Sequence, residues 1–125
     1  MDINIENIKT KLEDVDLIED DELEEMRKLR KAISYDSLNV AKLFIKCYDF
    51  LSSNIGLFGE DAKKILILLD DFDAKMIRYS LEDFGSGSDI GSHYAMETIK
   101  YYVKENRGRM CYLIDLFFTI FGDEE

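Results

Sequence analysis

The chain has 125 residues, enough for one domain with a real core, and 46% of them are apolar. Its formal net charge is −11. That excludes it from the classes that grip phosphate backbones or anionic membranes directly, because both need clustered Lys and Arg. It has two cysteines, Cys47 and Cys111, and no proline. A disulfide-stapled secreted scaffold is therefore excluded too, and nothing interrupts a helical backbone except at defined places.

The charge is unevenly spread. Residues 1–25 hold 11 acids and two bases, a net −9, whereas the remaining hundred residues carry 16 acids and 14 bases. The N-terminal fifth is a concentrated anion on a nearly neutral body. Its acidic start lacks the apolar run of a signal peptide. The longest apolar run, Met110 to Phe121, contains Asp115 and is too short to span a bilayer. These features predict a cytoplasmic protein with two reduced thiols.

Taken in order, Ile5, Ile8 and Leu12 give residues 1–14 a narrow apolar stripe and predict a short helix. Leu17 and Ile18 anchor the connection that follows. A second helix is expected from Asp20 or Asp21, with Asp21 and Glu24 spaced as a capping box. Leu23, Met26, Leu29 or Arg30, and Ile33 form its inward face. Acids fill its first turns and Arg27, Lys28, Arg30 and Lys31 its end, which suits the helix dipole and allows a Glu24–Lys28 pair. Asp36 or Ser37 caps a third helix running to about Asn54, buried through Leu38, Ala41, Phe44, Ile45, Tyr48, Leu51 and Ile55. Gly56 and Gly59 bracket a short connection in which Leu57 and Phe58 fold back onto the core.

Residues 61–84 carry the strongest periodicity. Ala62, Ile65, Leu69, Phe72, Met76 and Tyr79 recur at three and four, and Leu66, Leu68, Ile77 and Leu81 widen the stripe. This predicts one continuous helix at the centre of the bundle. Residues 85–92, GSGSDIGS, form a flexible connector. A further helix spans about 92–106, with Tyr94, Ala95, Thr98 and Tyr101 or Tyr102 on one side and Met96, Ile99 and Val103 on another. Asn106-Arg107-Gly108 is a stop. Met110 to Phe121 form the last helix, apolar almost all round, so either central or covered by a partner chain. The expected fold is an all-α, single-domain bundle of five or six short helices.

Catalytic parts are scarce. His93 is the only histidine and borders the Gly/Ser segment, which points to a solvated side chain. Cys47 and Cys111 lack the companions of a zinc site and read as core thiols. Asp70, Asp71 and Asp73 fail the EF-hand pattern, since Lys75 stands where glycine is required, and read as the wet face of a helix. There is no Walker or dinucleotide-binding glycine motif. No metal, cofactor or enzymatic activity is expected.

The stretch from Glu13 to Glu25 holds nine acids in thirteen residues. Glu13, Asp14, Asp16, Glu19, Asp20, Asp21, Glu22, Glu24 and Glu25 are the expected partner-binding residues. The function they point to is a small inhibitor or neutralising protein, of the immunity, antitoxin or anti-defence type. It would dock on a basic partner such as a nuclease or another nucleic-acid-binding protein, its carboxylates standing where phosphates would. An exposed Tyr or Phe is expected to anchor the contact. The alternative is a helical adaptor that self-associates into a homodimer through 110–121.

Overall fold

The computed structural model describes residues 3, 5, 6, 8, 19–32, 37–85 and 89–122. Within them are five α-helices and no strand: α1 Asp20–Ala32, α2 Ser37–Ser53, α3 Ala62–Asp70, α4 Ala74–Phe84 and α5 Asp89–Phe117. A 3-10 segment, Ile55–Asp61, joins α2 to α3, and a π-helical turn, Phe118–Gly122, ends α5. The all-α bundle is as the sequence predicts. Of the helix expected over 1–14, Ile3, Ile5, Glu6 and Ile8 are described; the last three are helical, Ile3 is not, and Ile8 is buried.

The stretch 61–84 is helical but not continuous. It breaks at Asp71-Phe72-Asp73 into α3 and α4. The reason is local hydrogen bonding. The Asp71 amide donates back to the Leu68 and Leu69 carbonyls and closes α3. The Asp73 carboxylate accepts from the Met76 amide at 3.1 Å and caps α4. Aspartate competes well for such caps, so a run of three within four residues favours an end over a wet mid-helix face. The break turns Phe72 inward, its ring 4.7 Å from that of Phe44. It also re-aims the stripe: Ile65, Leu68, Leu69 and Ile77 are buried, whereas Leu66 and Tyr79 are exposed.

The central place belongs instead to α5. It packs along α2 and α4, and Ala41, Ile77, Ile99, Tyr102, Val103 and Met110 meet around one small apolar gap. The expected stop at 106–108 is absent, and α5 runs through it for 29 residues. Glycine in a helix costs only about 1 kcal/mol, less than the burial of Val103 before it and Met110 and Leu113 after it supplies. The Asn106 side chain donates to the Tyr102 carbonyl at 2.9 Å, and Arg109 donates to Asn106 in turn. The inward face of its first half is Ala95, Ile99 and Val103; Tyr94, Thr98 and Tyr101 look outward.

The connector assigned to 85–92 is shorter than expected. Asp89 to Ser92 already belong to α5, and the Ser92 hydroxyl donates to the Phe84 carbonyl at 3.1 Å; residues 86–88 lie outside the described residues. In the 3-10 segment Gly59 has φ 60, a conformation that glycine adopts freely. It lets Phe58 turn into the core while Leu57 stays exposed. The end of α5 is wrapped by this chain's own aromatic rings. Phe117 meets Phe50, Phe118 and Phe121 at centroid distances of 5.5, 5.2 and 5.2 Å, and Phe121 meets Phe50 and Phe58. Met110, Leu113, Ile114, Leu116, Phe117, Phe118 and Ile120 are all buried. Most of the apolar surface of 110–121 is thus covered within one chain, and Tyr112 is left exposed.

Replacing Phe117 by alanine leaves a hole among three aromatic rings. The variant is expected to lose about 3–5 kcal/mol of unfolding free energy in urea titration. Tyr101→Ala, on the outer face of the same helix, should change it by no more than about 0.5 kcal/mol.

Candidate protein-docking surface

Nine of the thirteen residues of α1 are charged, and they are sorted along its length. Asp20, Asp21 and Glu22 occupy the first turn, Arg30 and Lys31 the last. Carboxylates beside the unpaired amides of the N-terminus and cations beside the final carbonyls both stabilise the helix. The helix begins at Asp20, and the Leu23 amide donates to the Glu19 carbonyl at 3.0 Å. Asp21 therefore lies inside the first turn, and acts there through its charge rather than as the expected cap.

One side of α1 faces the core through Leu23 and Met26, with Leu29 half-buried. The rest is wet. Glu19, Asp20, Asp21, Glu22, Glu24 and Glu25 are all exposed. At 1.5 Å of rise per residue these six carboxylates fall within about 9 Å along the axis. Glu24 is held by Arg27 at 3.4 Å, in place of the expected Lys28. Glu13, Asp14 and Asp16, the other expected docking residues, and Ile33 lie outside the described residues. The structure thus gathers six of the nine acids on one helix end.

The basic end of α1 is tied down. The Arg30 guanidinium donates to the Asp115 carboxylate at 2.6 Å and lies 4.5 Å over the Phe118 ring. A planar cation suits this double contact with a carboxylate and an aromatic face. The charge also reaches the Cys47 thiol on α2. Burial raises the pKa of that thiol far above its ordinary value, and Arg30 opposes the rise. Cys47 is a buried free thiol and Cys111 a half-buried one.

Exposed tyrosines were missed as a group. Tyr94, Tyr101 and Tyr112 are 69%, 68% and 48% exposed, so all three are open to a partner. Their spacings of seven and eleven put them on one face once α5 is known to be unbroken. The expected stop at 106–108 hid that register. Tyr112 precedes Asp115, the partner of Arg30, by one turn of α5.

The aspartates at the α3–α4 break serve structure. Besides the Asp73 cap, the Asp73 amide donates to the Tyr102 hydroxyl at 2.9 Å. Arg109 approaches Asp71 at 3.8 Å and covers the Phe72 ring at 5.4 Å. On α4, Arg78 pairs with Asp49 and lies 5.7 Å from the Tyr48 ring centre. Burial raises the Tyr48 pKa, partly offset by the Arg78 charge. Among the described residues, no group of three or more His, Cys, Asp or Glu side chains is placed to hold a metal ion. His93 is exposed. No helix of the described residues is long and apolar enough to cross a membrane.

Comparison with protein-family models, with curated proteins and with solved structures gave no match.

Two substitutions test the architecture around the break. Asp73→Ala removes the α4 cap and should cost about 1 kcal/mol. Tyr102→Phe leaves the Asp73 amide without its acceptor and should cost roughly as much. Denaturant titration and amide exchange at Ala74 to Ile77 are the checks, with no loss in either variant contradicting the assignment.

Proposed function

We propose that this protein is a small acidic inhibitor or neutralising protein that docks on a basic target. Such a target carries a cationic groove, as nucleases and other nucleic-acid-binding proteins do. The observation behind this reading is the exposed set Glu19, Asp20, Asp21, Glu22, Glu24 and Glu25 on one end of α1, set on a body that is nearly neutral. Carboxylates at that density draw a cationic groove inward and occupy the positions its phosphate ligand would take. The protein acts by binding, not by catalysis, and its two free thiols suit a reducing compartment such as the cytoplasm.

Charge supplies rate and selectivity more than affinity, so an aromatic anchor completes the surface. Tyr112 fits that role, since it is exposed and stands one turn from the residue that receives Arg30. The alternative reading, a self-associating adaptor, has less to draw on where Met110, Leu113, Ile114, Leu116, Phe117, Phe118 and Ile120 are buried within one chain.

The test is capture from cells at low and moderate salt, with bound proteins identified by mass spectrometry. The expected outcome is enrichment of proteins with high isoelectric points, falling at least tenfold in moderate salt. A variant with Glu19→Gln, Asp20→Asn, Asp21→Asn, Glu22→Gln, Glu24→Gln and Glu25→Gln should keep its circular dichroism and lose the capture. Capture indifferent to both salt and these substitutions rules the reading out.

A further inference from the structure

The outer face of α5 is open along its N-terminal half. Tyr94, Glu97, Thr98, Tyr101, Lys104 and Glu105 are all exposed, the two tyrosines by 69% and 68%. From Tyr94 through Thr98 and Tyr101 to Glu105 the steps alternate between four and three, the spacing of a seam along which two helices pack. Glu97 and Lys104 stand on the same edge of that seam, about 10 Å apart along the axis. Lys104 has no carboxylate partner among the described residues. Glu97 meets Lys100 only at 3.9 Å, with both side chains more than half exposed.

We infer that two copies of this chain pair through this face, their α5 helices antiparallel about a two-fold axis beside Tyr101. Such an axis makes residue i meet j and j meet i, so a surface fits its own copy only when its groups are complementary in reverse order. The order on α5 has that property. Glu97 and Lys104 are centred between Lys100 and Tyr101, so an axis there sets each Glu97 against the second copy's Lys104, twice over. Tyr94 and Glu105 are centred one residue away, between Ile99 and Lys100. Each Tyr94 hydroxyl is thereby brought to donate to the second copy's Glu105, and the Tyr101 rings meet near the axis. Lys100 lies about 100° round the helix from Tyr101 and stays in water. Two tyrosines two-thirds exposed offer about 270 Å² per copy. A stable dimer buries about 800 Å² per partner, so this pairing is weak and forms at a few hundred micromolar, as an order of magnitude. It leaves out Tyr112 and the contact of Arg30 with Asp115 near the other end of α5, so it holds whether or not the acidic turn binds a protein.

Sedimentation velocity of the full chain reads the pairing, from about 10 µM to about 1 mM in about 0.15 M salt, which screens the repulsion between two acidic bodies. The weight-average mass is expected to climb from that of one chain toward that of two across this range. A single-chain mass throughout overturns the inference. Glu97→Lys and Lys104→Glu each bring like charges together at two places, and each should weaken pairing at least about tenfold with circular dichroism unchanged. Mixed in equal amounts, the two variants regain opposite charges at both places, and a mixed dimer should form as readily as the parent one. Pairing that ignores the reversals, or variants that fail to recover on mixing, refutes the two-fold contact at Tyr101.

Discussion

A helix of 29 residues is about 43 Å long, and the apolar side chains of α5 must be covered along the whole of that length. This constraint organises the molecule. Its first half is met by α4 and the front of α2, through Ala41, Ile77, Ile99 and Val103. Its second half is met by the back of α2 and the 3-10 segment, through Phe50 and Phe58. The Asp71–Asp73 break turns Phe72 inward against Phe44 and sets α4 alongside α5. Tyr102 and Arg109, two turns apart on α5, hold the break in place through Asp73, Asp71 and Phe72. The break and the long helix are thus one arrangement seen from two sides.

Much of this was legible in the residues, and the parts that were not share a cause. Helix content, the inward Leu23 and Met26, and the burial of Ala41, Phe44 and Leu51 on α2 follow from spacing alone; Val40 and Leu43, equally buried, do not, and Leu38, Ile45 and Tyr48 are only half-buried. The division of 61–84 and the fusion of 92–106 with 110–121 depend on which weak signal loses to tertiary contact. An unbroken apolar stripe argued for continuity at Phe72, and three aspartates with a ring to bury prevailed. Asn-Arg-Gly argued for a stop at 108, and the side chains on either side prevailed. Both errors fell where local preference is worth about 1 kcal/mol and packing is worth several. The acidic segment was plain in composition, but its fixed end at Arg30 was not, since Asp115 and Phe118 are some 85 residues away.

The functional reading rests on that same division between local and distant information. Exposure of six acids on α1 is a fact of one helix. Their relation to an aromatic side chain is a fact of the fold, created when Arg30 binds Asp115, one turn along α5 from Tyr112. A surface assembled in this way has its charge on one element and its apolar anchor on another. Its shape depends on how firmly the two are joined.

The sorting of charge along α1 has a consequence beyond the stability of the helix. Carboxylates at one end and guanidinium and ammonium groups at the other make it an electric dipole fixed to a larger body, its poles about 10 Å apart. That separation is close to the Debye length of physiological salt, so both poles are felt only at short range. A charged molecule arriving there experiences torque as well as attraction. A partner of the proposed kind would be rotated before it touched, and unproductive collisions would fall without any added contact. A uniformly acidic helix of the same net charge would pull harder and aim less well.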